Sequence, residues 1–138
     1  MNFELLKTLC ELNGTSGDEK NVRDFIISQL PLDCDYTVDP IGNLIVNKKG
    51  EITPENKVAL FAHMDEVGFI VTYIHENGFV NVANVGGIDN SALFGKKITV
   101  NGNVGVVGGK AVHQCTGDES KKIPNIADVY VGFGFENR

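Results

Sequence analysis

The residues best equipped for chemistry sit together at His63-Met64-Asp65-Glu66. An imidazole can bind a divalent cation through one ring nitrogen while the other donates to a carboxylate. That second contact fixes the tautomer and raises the ligand's basicity. Asp65 lies two residues on, and its side chain is short enough to be that carboxylate. His63 is therefore the candidate metal ligand, and Asp65 the candidate catalytic-site carboxylate that orients it. A solvated surface histidine beside an acid is the alternative that this spacing alone leaves open. Asp65 and Glu66 also suggest a glycosidase acid/base pair. Against it, adjacent side chains point to different sides, whereas glycosidase carboxylates flank a sugar from separate segments at a set distance.

Other chemistry-bearing residues have plainer readings. His75 sits in an expected turn, 74–78, and reads as solvated; His113 follows Lys110-Ala111-Val112 in a β-rich stretch. Cys115 has no CxxC partner and reads as a small semi-buried thiol. The glycines of 105–109 and Gly86-Gly87 lack the lysine–serine pair of a phosphate loop and do not precede a helical pattern. They read instead as turns or bulges in curved strands. Lys121-Lys122 reads as a solvated loop pair. No G-x-S-x-G elbow is present, so a serine hydrolase is not indicated.

The elements that must position His63 can be read from periodicity. Leu5, Leu6, Leu9 and Leu12 predict a short amphipathic helix over 3–12, ended by Asn13-Gly14. Ser16-Gly17-Asp18-Glu19 has the form of a capping box, with the Ser16 hydroxyl taking a backbone N–H of the next helix. Val22, Phe25, Ile26 and Leu30 give that helix its buried stripe, and Pro31 stops it. Strands are expected at 36–39 and 44–47, joined through Pro40-Ile41-Gly42-Asn43. Residues 58–62, apolar at every position, read as a strand buried on both faces in the middle of a sheet, with His63 just past its carboxyl end. Beyond Glu66, runs at 67–74, 79–85, 97–100, 104–107 and 129–133 are short, β-branched or aromatic. Asn77-Gly78 and Asn101-Gly102 mark hairpins between them. The expected fold class is α/β: an α/β layer over 1–66, followed by a small all-β unit over 67–138, a barrel-like sheet or a sandwich, with the boundary near residue 67.

Composition narrows the partners. The chain has 138 residues, 18 acidic and 12 basic, for a formal net charge of −6. No Lys/Arg cluster exists to displace counterions, so no nucleic-acid partner is expected. No apolar run is long enough to span a bilayer, so no membrane partner is expected either. The first residues read as the start of the fold, with no basic n-region. Cys10, Cys34 and Cys115 are too irregularly spaced for a disulfide framework or a zinc knuckle, which fits a reducing, cytoplasmic setting.

The run from Val58 to Phe69, VALFAHMDEVGF, resembles the AHMDE-(I/V)-G-F segment of the glutamyl-aminopeptidase family, which includes the tetrahedral TET particles. Four further stretches agree in order. Gly14-Thr15-Ser16-Gly17-Asp18-Glu19 resembles the family's G-x-S-G-x-E, and Asp39-Pro40-Ile41-Gly42-Asn43-Leu44 its D-x-x-G-N-L. Gly86-Gly87-Ile88-Asp89 resembles GG-(V/I)-D, and Ala127-Asp128-Val129-Tyr130-Val131 the start of D-L-Y-(V/I)-D-I-G, with Gly132 standing where an Asp is usual.

The resemblance implies the N-terminal portion of a zinc-peptidase α/β sandwich followed by a dimerisation-type β unit. It implies a metal-dependent aminopeptidase with two zinc or cobalt ions in the complete site, a peptide substrate and a homo-oligomer. His63 matches the family's first metal ligand and Asp65 the acid that orients it; Glu66 belongs to the motif with no role assigned. The family's other ligands and its general-base Glu lie downstream of the part matched here. The chain taken alone is accordingly expected to be inactive and not to retain the ions. The alternatives are a non-catalytic oligomerisation or interaction module, and a relative carrying a glucanase label.

Overall fold

The computed structural model describes residues 2–52, 55–117 and 125–135, so the expectation for Lys121-Lys122 lies outside the described residues. The chain divides into two compact units, Met1–Glu66 and Val67–Arg138.

In the first unit, helix α1 (Phe3–Glu11) starts at Asn2, whose side chain accepts the Leu5 N–H at 3.2 Å. Helix α2 spans Lys20–Gln29, ending short of Pro31 as the missing N–H there requires. Its stripe is shallower than the spacing predicts: Val22 is buried, while Phe25, Ile26 and Leu30 remain half-buried. Strands β1 (Cys34–Val38) and β2 (Leu44–Lys48) form an antiparallel hairpin with Tyr36 opposite Val46.

Asp39 closes that hairpin. Its Oδ1 accepts the N–H groups of Ile41 at 3.1 Å and Asn43 at 2.8 Å, and its Oδ2 accepts the Asn43 side-chain amide at 2.8 Å. These donors favour the ionised form. The Asn43 side chain first, then the turn's backbone N–H groups, hold the Asp39 carboxyl below its ordinary value. The D-x-x-G-N-L motif is thus a turn clasp.

Two expectations for this unit fail. Residues 58–62 do not form a strand, and Val58, Leu60 and Phe61 are 89%, 94% and 93% exposed. A strand buried on both faces needs paired neighbours and covering layers, and the described residues of this unit supply neither. The capping box is also not formed. The position before α2 is Glu19, with no side-chain cap, and the Glu19 carboxylate accepts the Gly17 N–H at 2.7 Å. The Ser16 hydroxyl is engaged elsewhere.

The second unit is one curled antiparallel sheet. Its strands are β3 (Gly68–Ile74), β4 (Phe79–Val85), β5 (Lys97–Val100), β6 (Asn103–Gly108) and β7 (Tyr130–Gly132), in the spatial order β3-β4-β7-β6-β5. The β5–β6 turn is the expected Asn-Gly pair, with φ of 49° at Asn101 and 80° at Gly102. Two successive left-handed residues give the twist that adjoining strands need. Alternate residues face inward, as the strand period of two dictates. Val80, Val82, Val107 and Val131 join Leu93 and Val129 in the core, with Phe69, Ile88, Ile98, Ile126 and Phe133 packed against it. No helix of the described residues is long and apolar enough to cross a membrane.

The Asp39 clasp yields a pH prediction. Its carboxyl titrates lower folded than unfolded, so its contribution is fully present above the unfolded value of about 3.9 and is lost as pH falls through the depressed one. The Asn43 amide resonance in an NMR titration is expected to move only below pH ~4, and in Asp39→Asn that acid transition is expected to vanish. An Asn43 shift centred above pH 5 in the unsubstituted chain would contradict the assignment.

Candidate functional site

The His63 segment is held by the connection between the two helices. Glu66 N–H donates to the Gly14 carbonyl at 2.8 Å, and Ser16 N–H to the Glu66 carbonyl at 3.3 Å. Thr15 and Glu66 thereby make a parallel bridge. The Glu66 side chain adds a third tie, its Oε1 accepting the Gly14 N–H at 3.3 Å. Glu66, which the motif contains without an evident task, is thus a structural clip.

Residue 14 must be small for this lacing to close. A Cβ there would lie 2.6 Å from Val22 Cγ2 and 3.3 Å from the Met64 carbonyl oxygen. Val22, the buried residue of α2, therefore abuts the backbone that registers residues 14–16 against 64–66.

His63 Nδ1 lies 2.9 Å from the Asp65 carbonyl oxygen and 3.1 Å from Asp65 Oδ1. Both neighbours are acceptors, so in the neutral ring Nδ1 carries the proton and Nε2 the lone pair. The His63 side chain is 85% exposed. Asp65 Oδ2 accepts from the Ser16 hydroxyl at 2.5 Å. That hydroxyl is the main cause holding the Asp65 carboxyl below its ordinary value, with the neighbouring His63 ring a smaller one. A general acid of the glycosidase kind needs its carboxyl raised, not lowered. Asp65 is shifted the wrong way, and Glu66 is committed to Gly14.

Within the first unit the structure brings together His63, Asp65 and Ser16; the other candidates belong to the second unit and are described by their own surroundings. His75 departs from the expectation of a solvated turn: it is half-buried, its Nε2 hydrogen-bonded to Asn81 Oδ1 and its ring edge-on to Tyr73 with centroids 4.7 Å apart. Asn81, on the paired strand six residues on, supplies a partner that the turn reading did not include. His113 is exposed within a short 3₁₀ turn, Val112–Gln114. Cys115 is half-buried, with Sγ 3.5 Å from the Ala111 carbonyl oxygen. Among the described residues, no three His, Cys, Asp or Glu side chains gather where a cation could sit. The residues that sequence reasoning missed are Ser16 and Gly14. The available signals were a serine followed by glycine and acids, which local capping explains equally well, and the G-x-S-G-x-E resemblance, which names the residues without giving them a task.

Comparison with known proteins gives this geometry a context. The profile of the M42 glutamyl aminopeptidase family matches residues 42–138. The Escherichia coli K12 protein FrvX is 36% identical over the whole of this chain and 40% of its own length. Among solved structures, a TET peptidase of Pyrococcus horikoshii that can assemble into a tetrahedron or a large octahedral shell is 33% identical. It superposes with a TM-score of 0.78 over 98% of this chain and 41% of its own. A structure named an endoglucanase, from Thermotoga maritima, is 37% identical with a TM-score of 0.80, over 96% of this chain and 39% of its own. The chain therefore spans about two fifths of the length of the relatives it matches.

The lacing predicts a sensitivity at residue 14. Gly14→Ala forces its Cβ into Val22 and the Met64 carbonyl, and overpacking of this kind costs about 1–3 kcal/mol. A lowered urea midpoint for the first unit, with the amide resonances of β4 and β7 unmoved, is the expected result. An unchanged midpoint would show that the register does not depend on this contact.

Proposed function

The chain belongs to the M42 glutamyl aminopeptidase family, and from that premise we propose that it carries one metal-holding edge of an aminopeptidase site. His63 is the ligand, through Nε2, and Asp65 holds the ring. The single observation carrying this reading is the double engagement of Nδ1 by Asp65, which leaves Nε2 as the nitrogen with a lone pair on an 85% exposed side chain. The donor set fits zinc or cobalt: imidazole nitrogen is a common ligand for both, and an orienting carboxylate is the usual outer partner. When bound, the ion would supply Lewis-acid polarisation of the carbonyl that follows a peptide's N-terminal residue.

The chain's own residues do the preparatory work. In the neutral ring, Asp65 selects the tautomer with the proton on Nδ1 and the lone pair on Nε2. Glu66 and the Gly14–Ser16 connection hold the segment in register. A hydrolytic zinc site takes about three protein ligands and a water. The described residues gather no such cluster. On this reading His63 is one of the ligands such a site takes, and the 138 residues alone do not hydrolyse peptides and hold a cation weakly. The assembly of the Pyrococcus peptidase supports a homo-oligomeric whole protein. The free thiols of Cys10, Cys34 and Cys115 support a reducing, cytoplasmic setting.

Two measurements test this. In the isotope-labelled chain, added Zn2+ is expected to shift the His63 Nε2 resonance while those of His75 and His113 stay in place. His63→Ala should abolish the response; Zn2+ shifts centred on another histidine would refute the ligand assignment. With aminoacyl-p-nitroanilides and Zn2+ or Co2+, the isolated chain is expected to release no p-nitroaniline above the blank. Sustained turnover that tracks the purified chain would overturn the reading of inactivity.

A further inference from the structure

Among the described residues, Ser16 is the side chain other than His63 that touches the Asp65 carboxylate, and it comes from 49 positions earlier in the chain. We propose that Ser16 is a positioning residue: its hydroxyl holds Asp65 Oδ2 so that Oδ1 stays against His63 Nδ1. The proposal rests on the reading of His63 as a ligand and extends it one residue outward.

The case begins with freedom. An aspartate side chain turns about χ1 among three wells and about χ2 over a broad range. Asp65 lies on an irregular segment with its side chain only partly covered, so packing does not fix either angle. One hydrogen bond to the ring leaves the two carboxylate oxygens interchangeable. The Ser16 hydroxyl removes that freedom by occupying Oδ2 at 2.5 Å while Oδ1 meets Nδ1 at 3.1 Å. The ring then meets two acceptors of one residue, the Asp65 carbonyl and Oδ1. A single acceptor lets an imidazole swing about its N–H axis; two together hold its plane.

Ser16 can do this because its backbone is itself fixed. Its N–H donates to the Glu66 carbonyl, and two residues earlier Gly14 accepts from Glu66 N–H and donates to Glu66 Oε1. The hydroxyl is thus delivered to the carboxylate from a frame tied to both sides of the Asp65-Glu66 pair. A nucleophilic serine would instead hydrogen-bond directly to a base nitrogen. Here the order is serine, carboxylate, imidazole, which leaves Ser16 an anchoring task. Charge-assisted bonds of this kind are about twice as strong as neutral ones.

The test uses the full chain and NMR at a pH where His63 is neutral. In the unsubstituted chain, the side-chain couplings of Asp65 are expected to report a single χ1 rotamer, and the His63 ring nitrogens the Nδ1–H tautomer. In Ser16→Ala, the couplings should average over rotamers, and the Nδ1–H to Nε2–H ratio should fall about threefold or more, the weight of one net hydrogen bond. Ser16→Thr, which keeps the hydroxyl, should restore both. Should the alanine variant lose its dispersed amide spectrum, Ser16→Cys reads the same bond with a weak donor of similar shape and should show the same averaging. Unchanged couplings and tautomer ratio in Ala or Cys, or a Thr variant that behaves like Ala, would overturn the proposal. The Zn2+ response of His63 Nε2 is a separate readout: its absence refutes the ligand assignment while leaving the tautomer result intact.

Discussion

The first unit depends on one constraint: residues 14–16 must lie in register beside residues 64–66. Three hydrogen bonds between Gly14, Ser16 and Glu66 impose it, and the contact of Gly14 with Val22 gives it a buried anchor. From that register the rest follows. Ser16 reaches Asp65 and Asp65 reaches His63 Nδ1, leaving Nε2 outside these contacts. A slip of one residue would carry the hydroxyl away from the carboxylate and leave Asp65 with the ring alone.

The two units are stabilised differently. In the second, Val80, Val82, Leu93, Val107, Val129 and Val131 form a continuous apolar core in which alternate residues of neighbouring strands meet. In the first, the buried apolar residue among those described is Val22, and polar ties do much of the organising: the Asp39 clasp on the hairpin and the lacing around Glu66. Hydrogen bonds contribute little net free energy each but are strongly directional. They fix register and turn geometry where burial alone would tolerate several arrangements.

Legibility in the sequence followed the range of the interactions concerned. The Asn101-Gly102 hairpin could be read because its cause is local: two residues that tolerate positive φ between β-branched runs. Strands β4 and β5 could be read for the same reason, each being a short β-branched run bounded by turn residues. The His63–Asp65 contact was legible too, since the partners are two residues apart. Ser16 was not. Its hydroxyl has a local option, an orphan N–H at the start of α2, and a remote one, an ionised carboxylate 49 residues away. The charged acceptor makes the stronger bond, and only the folded register reveals that it is within reach. Residues 58–62 were misread for the converse reason. Their composition expresses a preference for burial, yet a strand is a property of its neighbours, and Val58, Leu60 and Phe61 meet none among the described residues.

The exposure of His63 explains why an outer layer of contacts is needed. A ligand buried in a core is oriented by packing, because every wrong rotamer collides with a neighbour. At 85% exposure His63 has no such walls, so its ring must be aimed by hydrogen bonds. Bonds made by exposed partners are individually soft, and Asp65 is itself only partly covered. Precision at the ring therefore rises with each link that ties the soft groups to something stiff. Here the links run from His63 to Asp65, to Ser16, to the Gly14–Glu66 backbone pair, and end on Val22 in helix α2. An exposed histidine can be held in this way, because its rigidity is supplied several residues from the ring itself.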